Sequence, residues 1–187
     1  NGNMEEAIEI IRKKGQAVAA KRSDREAAEG AVLVKSADGF AAILALKCET
    51  DFVAKNEDFI KLAQEILDAA VANKCKSLEE VNALPFGTHT VAEAVTDRSG
   101  ITGEKMELDG YMFIEGENVS VYDHMGRHML CTMVQTNKPA EEAAHNVAMQ
   151  VAAMNPVALN AESGPEAVKE EELKVAIEKT KEEQVKK

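Results

Sequence analysis

A strand, a turn, a second strand and a helix in immediate succession constrain the fold of this chain more than any other feature of its sequence. The β-rich runs 31–35 and 40–47 flank Ser36-Ala37-Asp38-Gly39, whose Asp and Gly suit a tight turn. Asn56 then begins an amphipathic helix that ends near Asn73. Its apolar face comprises Phe59, Leu62, Ala63, Ile66, Leu67, Ala70 and Val71. We therefore predict a β-hairpin followed by a helix with one buried face.

A similar order of elements recurs in the second half of the chain. Three strand-like runs predict a second antiparallel sheet: 105–115, 119–124 and 128–135. Pro139 favours the start of a helix with a stripe of small apolar residues. The segments 31–73 and 119–154 therefore resemble a degenerate repeat and predict two like lobes.

Helices are also predicted at both ends of the chain. Asn3 and Glu6 have capping-box spacing at the start of the first helix, and Gly15 is expected to end it. Residues 16–30 form an Ala-rich, locally basic helical linker that carries Lys21, Arg22 and Arg25. The segment 166–187 alternates Glu and Lys, which predicts a helix with few apolar residues to bury.

The charge balance and the cysteine pattern exclude several classes of protein. Among the 187 residues, 22 Lys and Arg stand against 33 Asp and Glu, giving a formal net charge of −11. A protein that mainly neutralises phosphates carries excess basic residues, so no primary nucleic-acid target is expected. No apolar run approaches the roughly 20 residues of a membrane-spanning helix. The three cysteines form no C-x-x-C pair, which fits a soluble protein of a reducing cytoplasm.

The sequence contains no familiar catalytic motif. It lacks a Gly-Lys-Ser/Thr phosphate-binding loop, a G-x-S-x-G elbow and an H-E-x-x-H helix. His124 and His128 have a spacing seen in zinc sites, but a histidine pair at a turn without companion ligands is more often solvated surface. We expect no metal site, no cofactor and no enzyme activity.

The pair Asp51-Phe52 stands between a strand and a helix and allows two interpretations. A phenylalanine in a connector usually packs beneath its own helix as part of the core. However, the apolar stripe of the following helix already supplies a buried face, while Thr50 and Asp51 mark the connector as wetted. The second interpretation is that Phe52 projects from the surface and anchors a partner.

The residues around this pair resemble a known family. The string Thr50-Asp51-Phe52-Val53-Ala54-Lys55, preceded by Cys48, is similar to the elongation factor Ts family, the guanine nucleotide exchange factors for elongation factor Tu. The resemblance extends upstream through Met4-Glu5-Glu6-Ala7-Ile8. Downstream it continues through Tyr122-Asp123-His124 and Val147-Ala148-Met149-Gln150-Val151-Ala152-Ala153. It therefore covers nearly the whole chain.

The resemblance implies an α+β fold with two related lobes, each a small antiparallel sheet packed with helices, plus a partial N-terminal helical module. It also implies that the chain is truncated at both ends. The expected domains are 1–15, the last helix of the N-terminal module; 16–30, a helical linker; 31–100, the first lobe; 101–165, an incomplete second lobe; and 166–187, the start of a helical protrusion.

The resemblance also implies a site and a partner. Asp51 and Phe52 are expected to intrude into elongation factor Tu and displace its magnesium ion, with Thr50 and Val53 flanking and positioning them. His124 is similar to a family histidine that contacts the same nucleotide domain. Arg22 lies where the family has a contacting lysine.

The expected function is thus exchange of guanine nucleotide on elongation factor Tu during translation elongation, in the cytoplasm. The chain itself is not expected to bind nucleotide or a membrane. The alternative is a translation-associated RNA-binding module that uses Lys21, Arg22 and Arg25, which the net charge of −11 disfavours.

Overall fold

The computed structural model of the chain describes residues 2–185 and contains two compact units, Asn1–Ala152 and Ala153–Lys187. The helices are α1 (Met4–Lys21), α2 (Asp51–Ala54), α3 (Glu57–Ala72), α4 (Leu78–Ala83), α5 (Val91–Thr102), α6 (Glu141–Met154) and α7 (Glu166–Val185). The strands are β1 (Glu29–Ala37), β2 (Phe40–Cys48), β3 (Pro85–Phe86), β4 (His89–Thr90), β5 (Glu107–Glu115), β6 (Val119–Asp123) and β7 (Cys131–Gln135).

The first sheet contains the predicted hairpin. β1 and β2 pair antiparallel, and β5 joins the other edge of β2, so the strand order is β1, β2, β5. Ala37 pairs with Phe40, which leaves a loop of two residues, Asp38 and Gly39. Their φ angles of 49° and 71° are the left-handed conformation that such a turn requires. The hairpin prediction is confirmed.

The strand predicted over 105–115 belongs to the first sheet and not to the second. As β5 it pairs with β2 along nearly its whole length, from Phe40↔Glu115 to Lys47↔Glu107. β2 is largely buried, and a buried strand needs hydrogen-bonded neighbours on both edges. The prediction of a three-stranded second sheet is therefore wrong. The alternation of residues indicates which face of a strand is buried, but not which strand lies beside it.

The core lies between this sheet and α3. All seven residues of the predicted apolar stripe of α3 are buried. They belong to the same cluster as Leu33 of β1 and Leu44 and Leu46 of β2. Full burial of one such side chain contributes about 1.5–3 kcal/mol. The segment that joins β2 to α3 is therefore attached at both of its ends to the packed core.

α1 continues through Gly15 to Lys21, so the prediction that Gly15 ends this helix is wrong. A Cβ added at Gly15 would lie 2.5 Å from the carbonyl oxygen of Thr96 in α5. A Cβ added at Gly100 would lie 2.6 Å from the backbone nitrogen of Gly15. The glycine thus allows two helices to touch through their backbones instead of ending one of them. The stretch predicted as a helical linker is helical only as far as Lys21.

The second sheet consists of β6 and β7 alone, and it packs against α6. The hydroxyl of Thr132 in β7 donates to the Ala148 carbonyl oxygen of α6 at 2.8 Å. The amide of Val32 in β1 donates to the carbonyl oxygen of His128 at 2.7 Å, which caps part of the free edge of the first sheet. Small antiparallel sheets packed against helices make the fold α+β, as predicted.

The second compact unit contains α7. The predicted helix is confirmed from Glu166 to Val185, while residues 186 and 187 of that segment, like Asn1 of the predicted N-terminal module, lie outside the described residues. Leu173 and Ile177 are exposed on it. Across residues 2–185, we find no helix that is both long and apolar enough to cross a membrane.

Candidate functional site

Residues 49–56, here called the connector, carry the chain from the end of β2 to the start of α3. The connector contains a single helical turn, α2, and the hydroxyl of its N-cap Thr50 accepts a hydrogen bond from the Val53 amide at 3.4 Å. At its far end, the side chain of Asn56 caps α3 by accepting from the amides of Asp58 and Phe59. Side-chain caps therefore fix the first turn of α2 and the first turn of α3.

Phe52 is 84% exposed on the outer side of α2. By contrast, Phe40 and Phe59 are fully buried, and Phe113 packs against the core. The interpretation that Phe52 packs beneath its own helix is therefore wrong. Its neighbour Val53 does face inward and packs against the core cluster. The turn α2 therefore presents one apolar side chain, Phe52, to solvent and another, Val53, to the core.

Asp51 lies next to Phe52 and forms an ion pair with Lys55, one helical turn later, with 2.7 Å between Lys55 Nζ and Asp51 Oδ2. The hydrogen bond from Lys55 lowers the pKa of Asp51, and the charge of Lys55 adds to the effect. Half of the Asp51 side-chain surface remains exposed. The carboxylate is therefore ionised at neutral pH and accessible beside the aromatic ring.

Glu104 holds the start of the connector from a distant part of the chain. Its carboxylate accepts hydrogen bonds from the amides of Glu49 and Thr50 at 3.1 Å each, and from the Thr50 hydroxyl at 2.6 Å. Glu104 directly follows Gly103, which ends α5 in the left-handed conformation. Gly103-Glu104 matches the family pattern, but the sequence assigned Glu104 no role, because no local pattern links positions 49–50 to position 104.

The carboxylate of Glu49 forms a second contact between the same two segments, in the opposite direction. It accepts the amide of Lys105 at 2.7 Å and a guanidinium nitrogen of Arg22 at 2.7 and 2.8 Å, and Arg25 lies 3.5 Å away. Only 10% of the Glu49 side chain is exposed. The hydrogen bond from Lys105 and the two arginines lower the pKa of Glu49, although burial opposes them.

The structure thus places Arg22 in an ion pair within the chain, with a third of its side chain exposed. Its role as a partner contact stays a prediction. His124 is exposed at the turn between β6 and β7, where its Nδ1 lies 2.9 Å from the Tyr122 hydroxyl. Among the described residues, no hydrogen bond or ion pair joins His124 to the connector.

Potential metal ligands and thiols are not gathered at the connector in the described part of the chain. Residues 2–185 contain no cluster of three or more His, Cys, Asp or Glu side chains placed to hold a metal ion. Cys48, Cys75 and Cys131 are all buried. Burial raises the pKa of Cys48 to about 11 and that of Cys131 to about 12, so these thiols are protonated at neutral pH. The exposed groups of the connector include the Phe52 ring and the Asp51 carboxylate.

The fold and the connector define an α+β scaffold in which one aromatic and one carboxylate side chain project from a fixed turn. The family model described as elongation factor TS matches residues 49–187. The chain belongs to the elongation factor Ts family.

Relatives with this name are similar along the whole chain. The elongation factor Ts of Parabacteroides distasonis is 68% identical over 187 residues, all of this chain and 57% of the relative's length. That of Phocaeicola vulgatus is 69% identical over 185 residues, and that of Bacteroides fragilis is 67% identical over 187. The chain therefore spans a little over half the length of these relatives.

Proposed function

We propose that the chain acts in translation elongation by promoting the release of GDP from elongation factor Tu, and that it does so by displacing the magnesium ion of this partner. Membership of the elongation factor Ts family supports the partner and the step. The observation that carries the proposal is the exposed ring of Phe52 beside the ionised Asp51 on a fixed helical turn.

The proposed mechanism is a coupling between two binding events. A factor that binds the nucleotide-free partner more tightly than the loaded partner must weaken nucleotide binding by the same factor. Magnesium ions bridge the phosphate oxygens in P-loop proteins and neutralise their charge. Insertion of Phe52 beside that ion removes this bridge, and burial of one phenyl ring contributes about 1.5–3 kcal/mol toward the insertion.

Five residues of the connector have roles in this proposal. Phe52 is the wedge, and Asp51 places a negative charge next to the cation and its ligands. Thr50 caps the turn that carries both, and Val53 anchors the same turn to the core. Lys55 holds the Asp51 carboxylate until the partner arrives, and the exposure of this ion pair allows its exchange for contacts with the partner.

His124 and Arg22 are proposed as further contacts with elongation factor Tu. The imidazole of His124 is exposed at the turn between the two strands of the second sheet, where a partner has access to it. Arg22 keeps part of its guanidinium surface open while it pairs with Glu49. The RNA-binding alternative has less support, because Arg22 and Arg25 both direct their charge at Glu49.

Release of a fluorescent GDP analogue from elongation factor Tu tests the proposal. We expect the chain to accelerate release and Phe52→Ala to reduce this acceleration roughly tenfold, since about 1.4 kcal/mol corresponds to a factor of ten. Met112→Ala is the matched control, because Met112 is another exposed apolar side chain, 67% accessible, on β5. Both variants should keep the circular dichroism spectrum. Equal rates for the chain and Phe52→Ala would contradict the proposal.

A further inference from the structure

The single helical turn that carries Phe52 cannot hold its own geometry. α2 has four residues, whereas isolated helices shorter than about 12 residues are marginal in water. The turn is completed by two main-chain bonds, from Ala54 to Thr50 and from Lys55 to Asp51, each 3.1 Å long. Its conformation must therefore be imposed by contacts with the rest of the protein.

The Thr50 hydroxyl joins this turn to Glu104. It accepts from the Val53 amide and donates to Glu104 at 2.6 Å. Because the hydroxyl has one proton, the bond to the carboxylate directs that proton away from the helix and leaves a lone pair for the capping bond. Hydrogen bonds to an ionised acceptor are about twice as strong as those between neutral groups. Glu104 therefore fixes the cap as well as the backbone before it.

The two carboxylates form a reciprocal clamp between residues 49–50 and residues 104–105. Glu104 accepts the amides of Glu49 and Thr50, while Glu49 accepts the amide of Lys105. The Lys105 amine also donates to the Arg25 carbonyl oxygen at 3.0 Å, beyond the end of α1. The clamp thus fixes the start of the connector relative to α5 and to the segment after α1.

We propose that Glu104 is a positioning residue for nucleotide exchange, which acts by holding the Thr50 cap so that α2 presents Phe52 in one orientation. This inference rests on the proposed function and adds to it a residue outside the connector. Glu104 does not touch the partner in this mechanism. A segment held in its bound conformation loses less conformational freedom on binding, so a turn fixed by Glu104 inserts Phe52 at a lower free-energy cost.

Glu104→Gln tests the inference with little change in volume. Its amide group either faces the two backbone donors or donates to the Thr50 hydroxyl, so one side of the clamp is lost. We expect hydrogen exchange at the Ala54 and Lys55 amides, which do not touch Glu104, to become roughly tenfold faster. Glu80→Gln is the matched control, because Glu80 also accepts a backbone amide, that of Lys76 at 2.7 Å, far along the chain from the connector.

A mutant cycle with Phe52 separates positioning from general stability. We expect Glu104→Gln to reduce the acceleration of GDP release roughly tenfold in the unmodified chain and less than twofold in the Phe52→Ala background. A purely structural role would give equal reductions in both backgrounds. Glu80→Gln should leave GDP release and the exchange of the Ala54 and Lys55 amides unchanged.

The outcomes distinguish the two proposals. If Phe52→Ala slows release but Glu104→Gln leaves both release and amide exchange unchanged, the positioning role is overturned and the proposed function stands. If Phe52→Ala has no effect on release, the proposed function is overturned. In that case the amide exchange of Ala54 and Lys55 still decides whether Glu104 holds α2.

Discussion

The connector and the turn between β6 and β7, residues 124–130, both present apolar side chains to solvent, but they are held in different ways. The connector shows Phe52 on a regular, capped helical turn. The β6–β7 turn shows Met125 and Met129, 65% and 71% exposed. Met125 and His128 have φ angles of 58° and 55°, a conformation that costs a non-glycine residue about 1–2 kcal/mol.

The anchors of the two segments also differ in their origin. The connector is fixed by one carboxylate and two arginines from distant parts of the chain: Glu104, Arg22 and Arg25. In the β6–β7 turn, the adjacent Asp123 accepts from the His128 amide at 3.2 Å and contacts the His128 ring at 2.7 Å, and Val32 of β1 adds one bond to the His128 carbonyl oxygen. The direction of Phe52 therefore depends on side chains far along the sequence, whereas the side-chain anchor of the β6–β7 turn comes from the adjacent Asp123.

The largest effect is expected from removal of the buried anchor of the connector. Glu49→Ala leaves the Lys105 amide and the Arg22 guanidinium without their acceptor, which should lower the free energy of unfolding by about 2–3 kcal/mol. Urea denaturation measures this loss. Glu117→Ala, at an exposed loop position, should change stability by less than about 0.5 kcal/mol. Similar losses of unfolding free energy in Glu49→Ala and Glu117→Ala would contradict the role of Glu49 as a buried anchor of the connector.

A smaller loss is expected when the local anchor of the β6–β7 turn is removed. Asp123→Ala deletes the acceptor of the His128 amide and should cost about 1–2 kcal/mol in the free energy of unfolding. Amide hydrogen exchange should show faster opening in residues 124–130 and no change in the connector. Faster exchange in both segments would show that the turn also supports the connector, contrary to the comparison.

Relief of backbone strain in the β6–β7 turn should increase the free energy of unfolding. Met125→Gly removes an exposed side chain from a left-handed residue, and the relief should exceed the greater chain entropy of glycine by roughly 0.5 kcal/mol. Arg127→Gly, at a right-handed position in the same turn, should lower the melting temperature instead. A loss of stability in Met125→Gly would mean that its conformation is not strained.

The smallest effect is a change in stability that appears only at acidic pH. The pKa of Glu49 in the folded chain lies below its ordinary value of 4.5. Its contribution to stability is therefore fully present above that value and is lost as the pH falls through the lower folded pKa. We expect the difference in unfolding free energy between the chain and Glu49→Gln to be constant from pH 6 to 8 and to shrink below about pH 4.5. A difference independent of pH down to pH 3 would contradict this assignment.

Local signals in the sequence predicted much of the fold. Asp38-Gly39 specified the hairpin turn, and the apolar spacing from Phe59 to Val71 specified the buried face of α3. The exposed position of Phe52 followed from the same stripe, because the stripe leaves no need for a further aromatic residue in the core beneath α3.

The errors and omissions concern contacts between distant residues. Nothing near Gly15 indicates that Gly100 lies against it, so the glycine resembled a helix stop. The partner strand of β5 was misassigned for the same reason. The role of Glu104 stayed unassigned because its three donors lie more than 50 residues earlier, where periodicity and capping patterns give no information.

Burial of the three native cysteines has a practical consequence for study of the connector. Because Cys48, Cys75 and Cys131 are enclosed and their thiol pKa values are raised, maleimide reagents at neutral pH should leave them unmodified in the folded chain. A Phe52→Cys substitution would then accept a fluorophore at one position without replacement of any native cysteine. The arrival of a partner at the connector becomes visible as a change in the colour or polarisation of a single dye.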